Sequence, residues 1–187
     1  MQYHLHNPGD RDLPASFGAH PAFRWPLLPY LTREAHWLEF EKPEGEKLPA
    51  VDGDGLLGDP DRPSPLDGRL LALRDGLFAQ DALVFRPVRS RAVRYSAPGA
   101  PVLQVGWDGF TELGVWTRPG AGFLCLEPWR GHASPAGFDG EFSAKPGVFL
   151  VRPGATVSAQ YTVAVLPPDV SSPPGPGAGR VPSQRQG

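Results

Sequence analysis

Two ionisable side chains stand out by their settings. His20 lies in the run Ser16-Phe17-Gly18-Ala19-His20-Pro21-Ala22-Phe23, with small residues before it, a proline after it and aromatics on both flanks. Pro21 biases the histidine towards extended backbone, and the Gly18-Ala19 pair leaves room for a ligand or a second segment to come close. An imidazole changes charge at about pH 6.5 and serves as a general acid or base. The plainer reading of this segment alone is a half-buried histidine satisfied by a carbonyl.

Glu127 closes the run Phe123-Leu124-Cys125-Leu126-Glu127 and is followed by Pro128 and Trp129. Strand alternation puts it on the face of Phe123 and Cys125. A carboxylate on an otherwise apolar face is costly unless paired or neutralised. Burial of that kind raises its pKa and makes it a base useful near neutral pH. Trp129 offers a flat surface on which a sugar or an aromatic ligand can lie. The alternative is a strand-end glutamate that points to solvent.

Other candidates carry weaker signals. His4 and His6 share a strand face, but no third ligand stands at a metal-binding spacing. Cys125 with His132 is a possible nucleophile pair, although a lone cysteine in an apolar strand is usually core packing. Arg86, Arg89, Arg91 and Arg94 form a basic stretch that suits either a phosphate or plain solvation. The glycines at 106, 109, 120 and 122 precede no helix, so a phosphate-binding loop is not indicated.

The elements that hold these residues must be strands. The 187 residues include 24 prolines and 23 glycines, a quarter of the chain, and the longest stretch free of both runs from Tyr30 to Lys42. Proline costs a helix interior roughly 3 kcal/mol and glycine about 1, which excludes a helical bundle. Short apolar runs bounded by turn residues occupy 2–7, 36–42, 70–74, 82–85, 91–96, 102–107, 113–117, 123–127, 148–152 and 156–165, the pattern of an antiparallel sandwich. The clearest is 156–165, where Val157, Ala159, Tyr161, Val163 and Val165 share one face. Eight to ten strands and at most one short helical turn are expected. The first strand starts almost at Met1, which leaves a sheet edge open to self-association.

With 40% hydrophobic residues and 10% aromatics, the chain can bury one substantial core. No apolar run reaches the ~20 residues of a membrane span, and the start does not resemble a signal peptide, so a soluble, cytoplasmic protein is expected. A formal charge of −2 argues against a nucleic-acid partner, and a single cysteine excludes an internal disulfide framework. The region 43–67, rich in proline, glycine and acidic residues, reads as a long surface excursion. Residues 167–187 offer almost nothing to bury and read as a disordered tail. No repeat is found.

Three motifs carry a family resemblance. LPASFGAHPAFRWPL at 13–27 resembles the Gly-x-His-Pro signature of the aldose 1-epimerase, or galactose mutarotase-like, superfamily in its bacterial branch. GVWT at 114–117 and CLEPWRGHAS at 125–134 resemble the segment that carries that family's catalytic glutamate. AKPGVFLVRPGATVSAQYTV at 144–163 resembles its closing strands. The motifs occur in family order and cover roughly 2–166, the C-terminal half or somewhat more of the family domain.

The resemblance implies an all-β fold, an antiparallel β-sandwich of the supersandwich type over residues 1–166 and truncated at its N-terminus. It assigns His20 as general acid and Glu127 as general base, set on the two sides of one hemiacetal. More weakly, it assigns Asp81 as an acidic sugar contact and Arg24 and Trp129 as pocket lining. The implied activity is anomer interconversion of a hexose or hexose phosphate by ring opening, with no metal and no cofactor, impaired by the truncation. A non-catalytic carbohydrate-binding domain is the alternative.

Overall fold

A computed structural model describes residues 1–168. All but the first two residues of the expected disordered tail lie outside the described residues. Every one of the ten segments expected to be extended holds a strand. In chain order the strands are β1 (Gln2–His6), β2 (Leu13–Ala15), β3 (Phe17–Gly18), β4 (Ala22–Arg24), β5 (Trp37–Phe40), β6 (Lys47–Leu48), β7 (Arg62–Pro63) and β8 (Leu70–Ala72). They continue with β9 (Leu83–Phe85), β10 (Ala92–Ser96), β11 (Val102–Asp108), β12 (Glu112–Trp116), β13 (Phe123–Arg130), β14 (Phe149–Val151) and β15 (Thr156–Leu166).

The count corrects the expectation of eight to ten strands and one helical turn. The described residues hold fifteen strands and three short 3-10 turns, at Arg33–Ala35, Asp75–Phe78 and Phe142–Ala144. The unforeseen strands β2, β3, β4, β6 and β7 have two or three residues each. That is too short for a period-two pattern to show in sequence.

Two antiparallel sheets form the sandwich. One has six strands in the order β1-β15-β11-β10-β5-β8; the other has the order β3-β13-β12-β9, with β4 also on β13. Between them lies one core. The six-stranded sheet gives it Leu38, Phe40, Val93, Tyr95 and Val105, and the five-stranded sheet gives Leu83, Phe85, Leu113, Val115, Leu124 and Leu126. Because these residues alternate along their strands, their neighbours on β9, β12 and β13 point to the outer face of the second sheet. Every sheet residue of the candidate site is on that outer face.

One expectation about surfaces changes. The 43–67 region is more than a surface excursion: Leu48 and Leu57 are each only 2% exposed. Leu57 packs with Ala82 and Val84 in a small second cluster, against Val51, Trp116 and Trp129. On β15, Ala159 is buried, but Val163 and Val165 are exposed. Past Gln160, where its pairing with β1 ends, β15 runs on beside β11.

Candidate active site

The site begins with two prolines. β3 and β4 lie along the same edge of β13, with Gly18 opposite Trp129 and Ala22 opposite Cys125. The register is continuous through the gap, so His20 falls directly opposite Glu127. Ala19 N–H donates to the Pro128 carbonyl at 3.0 Å, and Leu126 N–H donates to the Pro21 carbonyl at 3.1 Å. Pro128 and Pro21 have no N–H to return those bonds, so the ladder is half-made on both sides of the pair. His20 and Glu127 therefore occupy a non-hydrogen-bonded position, where facing Cα atoms approach to about 4.5 Å and side chains are closest. Their side chains meet, with His20 Nδ1 3.5 Å from Glu127 Oε1. The two-sided chemistry that the family resemblance implies sets them on either side of one hemiacetal; in the structure they are neighbours on one floor.

Register extends this floor across the sheet. Val84, Gly114, Glu127 and His20 form one row, and Ala82, Trp116, Cys125 and Ala22 form the next. The His20 ring meets Trp116 edge-on, with centroids 6.2 Å apart at 80°. Above the floor is a cavity of about 510 Å³, lined also by the loop residues Val51, Gly55, Leu57, Gly131, His132 and Ala133. That volume lies within the ~300–1,000 Å³ usual for small-ligand sites.

Glu127 is 5% exposed. Burial pushes its carboxyl up to about 7; hydrogen bonding by Trp129 pulls it down, and the nearby Asp81 charge adds a further upward push. The carboxyl thus changes charge close to neutral pH. The His20 side chain is 63% exposed, so the imidazole borders the cavity mouth and the carboxylate lies below it. The half-buried, carbonyl-satisfied histidine is not what forms.

A second polar cluster supports the wall formed by residues 131–133. Arg86 donates to His132 Nε2 at 2.9 Å, which leaves the ring proton on Nδ1, 3.6 Å from Glu112 Oε1. Glu112 Oε2 accepts from Thr111 Oγ1 at 2.7 Å and from Gly131 N–H at 3.0 Å. Lys145 donates to the His132 carbonyl. Burial alone would raise the Glu112 carboxyl, but His132, Thr111 and Gly131 together hold it below its ordinary value. Sequence reading did not single out this cluster; its one signal is a glutamate opening the otherwise apolar strand Glu112-Leu113-Gly114-Val115.

The structure brings His20, Glu127, Asp81 and Trp129 to one cavity and leaves Arg24 out of its lining. Arg24 pairs with Phe123, at the far end of β13 from the cavity. Asp81 sits at φ 64°, with its carboxylate 2.6 Å from the Ala82 N–H. Cys125 is buried beside Glu127 and His20 rather than beside His132. His4 and His6 bond to Ser158, Ala155 and Thr156 on the neighbouring strand end. The arginine stretch diverges: Arg86 reaches His132, whereas Arg94 lies 3.8 Å from Glu39 on the other sheet.

No family model matches the chain. Protein LacX of Lactococcus lactis subsp. lactis, in its plasmid and chromosomal forms, is 32% identical over 161 residues, which is 84% of this chain and 54% of the relative. The chain therefore spans about half the length of the curated relatives it matches. Among solved structures, a galactose mutarotase related enzyme from Lactobacillus acidophilus superposes with a TM-score of 0.74 at 24% identity, over 88% of this chain and 56% of that one. A galactose mutarotase-like protein from Lactobacillus casei gives 0.72 at 18% identity, over 87% and 58%. The all-β sandwich is thus the galactose mutarotase-like fold that the sequence motifs resemble. No helix among the described residues is long and apolar enough to cross a membrane.

Proposed function

We propose that the chain, folded as one sandwich over residues 1–166, carries the acid–base pair of an aldose 1-epimerase acting on a free hexose. The observation that supports this reading most is the contact of His20 with Glu127 on the cavity floor. Anomerisation moves two protons on two oxygens that share a single carbon, the C1 hydroxyl and the ring oxygen. Adjacent groups suit adjacent oxygens better than groups on opposite walls would.

Glu127, as carboxylate, takes the proton of the C1 hydroxyl, while His20, carrying a proton, gives it to the ring oxygen. The C1–ring oxygen bond breaks and an open-chain aldehyde forms. Rotation about C1–C2 presents the other carbonyl face, and the two groups return their protons in reverse for closure. A carboxyl that titrates at about 7 serves as both acceptor and donor near neutrality. Asp81 lines the same cavity, and in this reading it accepts from a sugar hydroxyl. Two carboxylates at one cavity oppose a phosphate dianion, which favours the free sugar over its phosphate ester.

The test follows α-to-β exchange of galactose and glucose by polarimetry, with hexose 6-phosphates as comparison. Turnover that is lost in both His20→Ala and Glu127→Ala, and is slower on the phosphates, is expected. Sugar binding without turnover would instead identify a non-catalytic carbohydrate-binding domain.

A further inference from the structure

We infer that His20, Cys125 and Glu127 form a site for a thiophilic divalent cation of the zinc class, and that the bound ion blocks the proton-transfer pair. The blocking rests on the function proposed above; the binding rests on the donor geometry alone. An imidazole nitrogen, a thiol sulfur and a carboxylate oxygen lie within 4.8 Å of one another, and this is the one such triplet of His, Cys, Asp or Glu donors among the described residues.

The backbone explains the triplet. Cys125 and Glu127 alternate to one face of β13, and His20 stands opposite Glu127 on the adjoining strand segment. Two ligands held at about 2.0–2.1 Å from a tetrahedral zinc lie about 3.4 Å apart. The imidazole nitrogen and carboxylate oxygen, at 3.5 Å, already have that spacing. A shift of about 1 Å in one side chain brings the sulfur to its own bond length of about 2.3 Å. His20 and Glu127 line the cavity, and with Cys125 below them the fourth position is left to water or a sugar hydroxyl.

The donor set also selects the ion. Thiolate and imidazole favour zinc and its neighbours over magnesium and calcium, which prefer all-oxygen shells. Burial, with the Glu127 charge beside it, pushes the Cys125 thiol up to about 12. A divalent cation reverses that preference and displaces the proton. Binding is therefore a balanced exchange in which the S–H proton leaves to solvent as the metal–sulfur bond forms, and affinity rises with pH.

Co²⁺ and Zn²⁺ titrations of the full chain test this. Co²⁺ should give one equivalent of a near-ultraviolet sulfur-to-cobalt charge-transfer band, which Zn²⁺ removes and Mg²⁺ leaves unchanged. Cys125→Ser should abolish the band and weaken Zn²⁺ at least tenfold while still exchanging anomers. Cys125→Ala, which adds no polar atom to a buried strand position, should do the same. One equivalent of Zn²⁺ should stop exchange in the wild type and spare both cysteine variants. Absence of the band, or Zn²⁺ affinity that survives in both cysteine variants, overturns the site. So does affinity that disappears in a His4→Ala/His6→Ala variant. A cobalt–thiolate band on a chain with no turnover supports the site and counts against the function alone.

Discussion

The indole of Trp129 occupies the space that a side chain at Gly114 would need: a Cβ on Gly114 would stand 2.5 Å from Trp129 Cη2. The other end of the ring lies over Gly18 on the opposite neighbouring strand, again too close for any Cβ. Two glycines on flanking strands thus let the indole lie flat on the sheet, next to the carboxylate of Glu127. Its hydrogen bonding there counters part of the upward push of burial.

Gly114→Ala should dislodge that ring. Overpacking of a closed site costs about 1–3 kcal/mol, so a lower melting temperature is expected. Loss of the Trp129 interaction should also move the Glu127 titration upward. The measurement is the pH dependence of anomer exchange: an ascending limb shifted to higher pH supports a positioning role for Trp129. A limb that stays in place while stability falls would reduce Trp129 to packing.

Glu127 itself should make the protein less stable as pH rises. Its carboxyl ordinarily titrates at 4.5 and is pushed up to about 7 in the folded chain, first by burial. Its stabilising contribution is complete below about pH 4.5 and is lost as pH rises through about 7, a change on the order of 3 kcal/mol. Glu127→Gln keeps the shape and removes the ionisation. Melting curves should therefore coincide near pH 4.5, with the variant melting higher above pH 7. For the same reason wild-type anomer exchange should rise with pH through about 7, as the base loses its proton. Equal melting temperatures at pH 8 would contradict a raised carboxyl.

Long alternating runs were readable from the sequence because burial on one face imposes period two. On β5, Leu38 and Phe40 are buried as alternation requires. The segment that holds His20 was not readable as a strand. Gly18 and Pro21 look like chain breakers, and the register that sets His20 opposite Glu127 is a contact between distant segments. The family resemblance set both residues at one hemiacetal, but not at facing positions of adjoining strand segments. Glu112, His132 and Arg86 were scattered over three segments, and only the fold joins them. Leu57 was unreadable for another reason: one apolar residue in a Pro/Gly-rich loop has no period, and its burial depends on the small cluster with Ala82 and Val84.

Asp81 offers a test of the charge acting on Glu127. Its backbone stands at φ 64°, a left-handed conformation that Asn adopts as readily as Asp, so Asp81→Asn should preserve the turn. Removal of the negative charge removes one of the influences that raise the Glu127 carboxyl. The ascending limb of the pH–rate profile should then move down by a fraction of a unit, and KM for the sugar should increase as a hydrogen-bond acceptor is weakened. A limb that moves up would show that Asp81 does not act on Glu127 through its charge.

Glu112 is the carboxylate on which the cavity wall at residues 131–133 depends. Its oxygens hold Gly131 N–H and Thr111, and one faces His132. Gly131 takes φ 102°, with Ser16 packed against it, so the loop cannot shift without losing that fit. Burial raises the Glu112 carboxyl, but these partners hold it below its ordinary value of 4.5. A depressed carboxylate contributes stability above its unfolded pKa, and that contribution disappears as pH falls through the folded one. Glu112→Gln replaces charged hydrogen bonds with neutral ones and should cost on the order of 2 kcal/mol at pH 7. As pH falls below 4.5 and through the lowered folded value, the wild type approaches the same neutral state, so the two melting temperatures should draw together. Because the loop carries His132 and Ala133 into the cavity, the variant should also raise KM more than it lowers kcat. A stability gap that is constant from pH 7 to pH 3 would mean that the Glu112 charge does not hold this wall in place.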